Sequence, residues 1–181
     1  MDGRQLTEFE QILLGLICLA PASGYDLKRT FATTAMGVYQ PSSGTLYPAL
    51  RRLERDGLLQ AATVEASPSA RRRRVLEPTP AGRAVHLDWL RTPVATATVA
   101  RDLGLHIMRF VMMEHALPDG EAAQFLRDLA GALTVFTQGL ERYTGVTDPS
   151  RRHPALALNH GLAVHRASLQ WALETIALLE K

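Results

Sequence analysis

Two pairs of residues, Thr7 with Glu10 and Ser23 with Asp26, punctuate the start of this chain, each pair three positions apart and each leading into apolar residues. A hydroxyl side chain followed three residues later by an acid caps a helix N-terminus. Pro21 and Ala22 break the pattern between the two starts. Residues 8–35 therefore fold as two short helices instead of one long one, and two short helices need further elements to cover their apolar faces. The first carries Phe9, Ile12, Leu13, Leu16 and Ile17 and is expected to end near Leu19. The second is expected from Gly24 to about Ala35, with Leu27 and Phe31 inward and Lys28 and Arg29 outward.

A third helix reads from Gly44 to Asp56, because Leu46, Leu50 and Leu53 recur at spacings of four and three. Pro48 lacks an amide proton, which predicts an irregular first turn. Gly57 supplies the residue that can take positive φ past a helix end. Strands follow around Ala61–Glu65 and Arg73–Glu77, with Ser67, Pro68 and Ser69 turning between them, a ribbon of the kind called a wing. Thr79 and Pro80 start a fourth helix that stops before Pro93. Residues 1–92 thus read as a winged helix-turn-helix domain.

Beyond a connection at Pro93–Ala100, everything reads as helix. Leu103–Ala116 is apolar nearly all round, which predicts burial on several sides. Next comes a stripe of Ala122, Leu126, Leu129, Leu133, Phe136, Leu140 and Tyr143, and then a second of Ala155, Leu158, Leu162, His165, Leu169, Ala172, Ile176 and Leu179. Both alternate four and three residues, the spacing of a coiled-coil seam. A link at Thr144–Pro154 lets the two helices fold back as an antiparallel pair. The fold class is mainly α, with residues 93–181 as a C-terminal helical dimerisation domain. Leu126, Leu133, Leu140, Leu162, His165, Leu169 and Ile176 are the candidate subunit contacts.

The leucine stripe of the third helix leaves Ser43, Thr45, Tyr47, Arg51, Arg52 and Arg55 on its remaining surface. In a helix-turn-helix, the tip of the second helix enters the major groove, where hydroxyl and guanidinium groups meet base edges and phosphates. Arg71, Arg72, Arg73 and Arg74 follow the wing turn, and DNA would offset the repulsion among four adjacent cations. Charge agrees: residues 1–92 hold 12 Lys and Arg against 9 Asp and Glu, while the remainder holds 8 against 9. Taken singly, each of these patterns also fits a solvated charged surface. A winged-helix scaffold that binds protein and no nucleic acid is the alternative reading.

Catalysis finds no constellation. His160 and His165 stand five apart, about 140° around a helix, so they cannot share a metal. No phosphate-binding glycine loop, cysteine cluster or nucleophile elbow is present, and no cofactor is expected. Cys18 is the single cysteine and reads as a small buried hydrophobe in a reducing cytoplasm. The longest apolar stretch, Ile12–Ala22, falls well short of the roughly 20 residues that span a bilayer. Acidic Asp2, Glu8 and Glu10 stand where a secretory signal would be basic. Trp89, Met108, Met112 and Trp171 can line an apolar effector pocket, or simply be core.

Several stretches occur together and in order: Leu14-Gly15-Leu16, Gly24-Tyr25-Asp26-Leu27, Gly44-Thr45-Leu46-Tyr47-Pro48-Ala49-Leu50-Arg51-Arg52-Leu53, Gly57-Leu58-Leu59 and Thr79-Pro80-Ala81-Gly82. In that order and spacing the chain resembles the PadR family of winged-helix regulators, in particular its longer-tailed branch. The resemblance implies a homodimeric repressor of double-stranded DNA, dimerised through its C-terminal helices. It also implies release by a small molecule, often phenolic or a planar hydrophobic drug. One departure lies in the wing, where the family often has a glycine and a tyrosine pair and this chain has Arg71–Arg74 then Val75 and Leu76.

Overall fold

The computed structural model describes residues 4–34, 41–62, 74–144 and 152–181, which divide into two compact units, Met1–Trp89 and Leu90–Lys181. In the first unit, α1 (Glu8–Leu19) and α2 (Gly24–Thr33) begin where the capping pairs place them. Thr7 and Glu10 exchange side-chain and backbone hydrogen bonds, and Ser23 and Asp26 do the same. α3 (Ser43–Arg55) starts one residue earlier than expected, because Ser42 is the cap and accepts from the Thr45 N–H at 3.1 Å. Its first turn is tight, with both Thr45 and Leu46 donating to the Ser42 carbonyl at 3.0 Å. Pro48 sits farther along, inside a continuous helix.

The end of α3 is fixed by its glycine. Gly57 takes φ 72°, and Leu58 N–H returns to the Leu53 carbonyl while Gly57 N–H bonds Glu54, the two bonds of a Schellman cap. The chain then enters β2 (Leu59–Ala61), which pairs antiparallel with β3 (Val75–Pro78). The strands lie within a few residues of their expected positions, and the wing turn, residues 63–73, is outside the described residues. At the break between α1 and α2, β1 (Ala22–Ser23) is a strand that local pattern does not predict; it pairs with the other edge of β3 to give the order β1-β3-β2. Ile12, Leu13, Leu14, Ile17, Leu27, Phe31, Leu46, Leu50 and Leu53 fill the space between the helices.

Two glycines set how closely these pieces approach. A Cβ on Gly24 would stand 2.5 Å from the Tyr47 ring, so the start of α2 and the ring of α3 fit only because the side chain is missing. A Cβ on Gly82, in α4 (Pro80–Leu90), would stand 2.0 Å from the Leu58 carbonyl oxygen. Thr79 locks the same corner. Its hydroxyl donates to the Gly57 carbonyl at 2.6 Å and accepts from the Gly82 N–H at 3.0 Å.

In the second unit, α5 (Leu103–Met113) ends three residues before the expected Ala116, where Glu114 turns extended and His115 takes φ 60°. Its buried residues include two that its apolar composition hides, His106 and Arg109. Arg109 is 3% exposed, donates to the Leu90 and Thr92 carbonyls, and lies 4.8 Å from the Phe125 ring centroid. Burial pushes its pKa down to about 10. His86, in the first unit, and His106, in the second, have no hydrogen-bond partner among the described residues. Burial lowers both, His86 to about 4.

α6 (Asp119–Thr144) and α7 (Arg152–Leu179) form an antiparallel pair: Arg127 meets Glu180 and Glu141 meets Arg166. α7 begins before Pro154, not after it, since proline is tolerated in a first turn whose N–H groups lack helical partners anyway. No described helix is long and apolar enough to cross a membrane.

Gly82→Ala is expected to destabilise the first unit by about 2 kcal/mol or more, because backbone must move to admit the methyl. Gly139→Ala, on an exposed part of α6 with open space around it, is expected to raise stability by roughly 0.5–1 kcal/mol. Urea unfolding of both variants checks this, and a neutral Gly82→Ala would contradict the packing at that corner.

Candidate nucleic-acid interface

α3 turns about 100° per residue, and its buried face holds Leu46, Ala49, Leu50 and Leu53. The opposite crest therefore carries Gly44, Pro48, Arg51 and Arg55, with Arg51 and Arg55 one turn apart and exposed. Neither is ion-paired among the described residues. Thr45 and Arg52 occupy one edge of the helix, and Ser43, Tyr47 and Glu54 the other. Pro48 cannot donate to the Gly44 carbonyl one turn back, which leaves an acceptor on the crest near the helix tip.

The tip is polar. The Ser42 and Thr45 hydroxyls lie 3.0 Å apart, and Lys28 of α2 donates from Nζ to Ser43 Oγ at 3.1 Å. The helical spacing of α2 puts Lys28 on an exposed face, but nothing local shows which face of α2 meets the tip of α3. Tyr47 is 41% exposed, with its ring covering Gly24. Tyr25, 53% exposed, stands beside that glycine in sequence and was also missed.

The edges of α3 are held by charge. On one side Arg52 Nε donates to Glu10 Oε1 at 2.7 Å, and Arg4 donates to Glu10 Oε2 at 2.7 Å. Arg4 also reaches Asp56, the residue that ends α3, at 2.7 Å. Glu10 has no exposed surface, so its charge survives only because it is paired. Burial would push its pKa up, but hydrogen bonds from Arg4, the Thr7 N–H and Arg52 overcome that and hold it at about 2. On the other side Glu54 receives Arg74, at the start of β3. Arg52 and Arg74, both nominated as DNA contacts, are thus each engaged by a carboxylate. Arg71, Arg72 and Arg73 lie outside the described residues.

The remaining nominated residues belong mainly to the second unit. Leu126 and Leu133 are 0% exposed and Leu162 is buried, covered within the chain by the α6–α7 pair. Leu140, His165, Leu169 and Ile176 are half-buried. His165 Nδ1 lies 2.6 Å from the Gly161 carbonyl, with its ring 4.7 Å from that of Phe136. Val135, Leu156, Val164, Leu173 and Leu178 face outward. Trp89 is half-buried in the first unit, beside His86. In the second, Met112 is fully buried, Met108 half-buried, and Trp171 packs edge-on against Phe110. A cavity of about 350 Å³ opens between Phe110, Met113, Leu117, Ala122 and Leu179, with Glu114 and Asp119 at it, and none of Met108, Met112 and Trp171 lines it. Burial raises the Cys18 thiol to about 11, which suits a packing role.

Three helices, the third with a polar outer face, followed by a β-ribbon that completes a three-stranded antiparallel sheet and by α4, make the first unit a winged helix-turn-helix. Residues 13–87 match the model of the Transcriptional regulator PadR-like family. The transcriptional regulator Rv3488 of Mycobacterium tuberculosis is 38% identical over 81 residues, which are 44% of this chain and 74% of that protein. The chain belongs to the PadR-like family, and is accordingly a transcriptional regulator and not an enzyme. Two solved structures align along nearly the whole chain. Bacillus subtilis PadR in complex with operator DNA is 19% identical at a TM-score of 0.43, covering 97% of this chain and 99% of its own. The Vibrio cholerae virulence activator AphA is 22% identical at 0.39, covering 94% and 97%.

The ordinary carboxyl pKa is 4.5 and that of Glu10 is about 2. Glu10 therefore contributes stability that is complete above the first value and lost as pH falls toward the second. Stability is expected to drop from this source by up to about 3 kcal/mol between about pH 5 and pH 2. Glu10→Gln is expected to flatten that part of the acid limb in urea titrations; an unchanged limb would contradict the pairing.

Proposed function

We propose that the chain is a cytoplasmic repressor that binds an inverted-repeat operator as a homodimer and is released by a small hydrophobic or phenolic effector. α3 enters the major groove, with Ser43, Thr45 and Tyr47 at its tip and Arg51 and Arg55 along its crest. Arg71, Arg72 and Arg73, after the wing turn in the sequence, anchor phosphate, while Arg74 is held by Glu54. The observation that carries this reading is the crest itself: two exposed arginines with no ion pair among the described residues, opposite a buried leucine stripe, while Glu54 is turned to the edge. Family membership supports the same reading; Bacillus subtilis PadR, a member of that family, was solved with operator DNA and with p-coumaric acid. In this proposal the cavity beside α5 is the effector's place, since its volume falls within the range of small-molecule sites.

Duplex titration at two salt concentrations tests DNA binding. Affinity is expected to fall steeply as salt rises, and Arg51→Ala to lower the salt slope by about one if it meets phosphate, or to cost about 1–3 kcal/mol at one base position if it meets guanine. Absence of salt-dependent binding would favour a protein-binding scaffold.

The subunit contact is proposed on the outward apolar residues of α6 and α7, continued by the half-buried Leu140, His165, Leu169 and Ile176. Leu126, Leu133 and Leu162 act inside the chain, where they keep α6 and α7 together. Leu156→Asp with Val164→Asp is expected to leave each chain folded, because both side chains are exposed in it, and to shift the full-length protein from dimer to monomer in light scattering. A dimer that survives both substitutions would place the contact elsewhere.

A further inference from the structure

We propose that Arg52 is a positioning residue: through Glu10 it sets the roll of α3 on α1, so that Arg51 and Arg55 face the DNA, and it makes no DNA contact of its own. The inference rests on the DNA-binding reading above. Its starting point is that Arg51 and Arg52 are adjacent and chemically identical, yet meet different surroundings. Arg51 is exposed on the crest, whereas Arg52, about 100° further round, is half-buried with its Nε 2.7 Å from a carboxylate of zero exposure.

Leucine packing alone leaves the roll of a helix loosely determined, since apolar contacts have no direction. A guanidinium bonded to a carboxylate has direction. Glu10 is itself fixed by the Thr7 N–H at 3.0 Å and by Arg4, which continues to Asp56 at the end of α3. Arg52 and Asp56, one turn apart on α3, are thus joined to the start of α1 by a network centred on one buried acid. Glu54 and Arg74 hold the opposite edge to β3. Removing Arg52 or Glu10 frees the roll while leaving the crest arginines and their charge in place. Sequence-specific binding, which needs alignment, should then suffer more than non-specific binding, which needs only charge.

The test uses the full chain, a duplex it selects from a random pool, and a scrambled duplex of equal length. The expected result is that Arg52→Gln and Glu10→Gln each lower the ratio of selected to scrambled affinity by roughly tenfold, with the salt slope unchanged, and that the double variant is no worse than either single one. A direct phosphate contact predicts otherwise: Arg52→Gln would lower the slope by about one on both duplexes, and Glu10→Gln would strengthen binding by releasing a cation. Either of those results overturns the assignment. If thermal unfolding shows that the glutamine variants do not stay folded, Arg52→Lys replaces them, keeping the charge without the planar guanidinium. A reduced ratio at unchanged slope then supports positioning, and a wild-type ratio overturns it. Wild-type protein that binds neither duplex overturns the DNA reading and this assignment together, whereas wild-type binding with a lowered slope in Arg52→Gln overturns this assignment alone.

Discussion

Glu10 caps the first turn of α1 through Thr7 and is fully buried, and its two arginines are what allow a buried carboxylate there. An isolated carboxylate removed from water would be protonated or would reject the fold; one that accepts from Arg4, Arg52 and the Thr7 N–H stays ionised. Breaking one arm of such a cluster costs more than the arm is worth, because the remaining charges stay where water cannot reach them. The N-terminal segment, α1 and α3 are thereby committed to one arrangement. The leucine core supplies most of the favourable free energy of burial, while the cluster supplies direction.

The corner at Gly57, Thr79 and Gly82 does for the sheet what Glu10 does for the helices. Positive φ at Gly57 reverses the chain out of α3, the Leu58 carbonyl accepts from the Thr79 N–H at 3.0 Å, and the missing side chain of Gly82 lets α4 press onto that carbonyl. The base of the wing is thus anchored where it leaves α3. With Arg74 on Glu54, the second strand is also tied back to α3.

Much of this was legible in the sequence because it is local. The capping pairs place α1 and α2, the leucine spacing gives the buried face of α3, and the four-three stripes hold buried residues in α6 (Ala122 to Leu133) and in α7 (Leu162 and Ala172), although Tyr143, at the end of the first stripe, is exposed. What was not legible depends on partners far along the chain. β1 has two residues and exists only because β3, more than fifty residues later, pairs with it. Glu10 reads as a capping residue, and nothing near it reveals Arg52 as its second partner. A heptad stripe does not say whether its cover is the same chain or another, and here Leu126, Leu133 and Leu162 are covered by their own. Arg109 hides inside an apolar stretch because its charge is met by carbonyls of residues 17 and 19 positions earlier.

In the proposed complex, Arg51 and Arg55 of α3 meet DNA and Arg52 does not. Arginine Nε–H signals in a nitrogen-resolved NMR titration of the full chain with its selected duplex report this side chain by side chain. The Arg51 and Arg55 signals are expected to shift on addition of duplex, while the Arg52 signal, held on Glu10 by its Nε, stays in place. A shift confined to Arg52, with Arg51 and Arg55 unmoved, would contradict it.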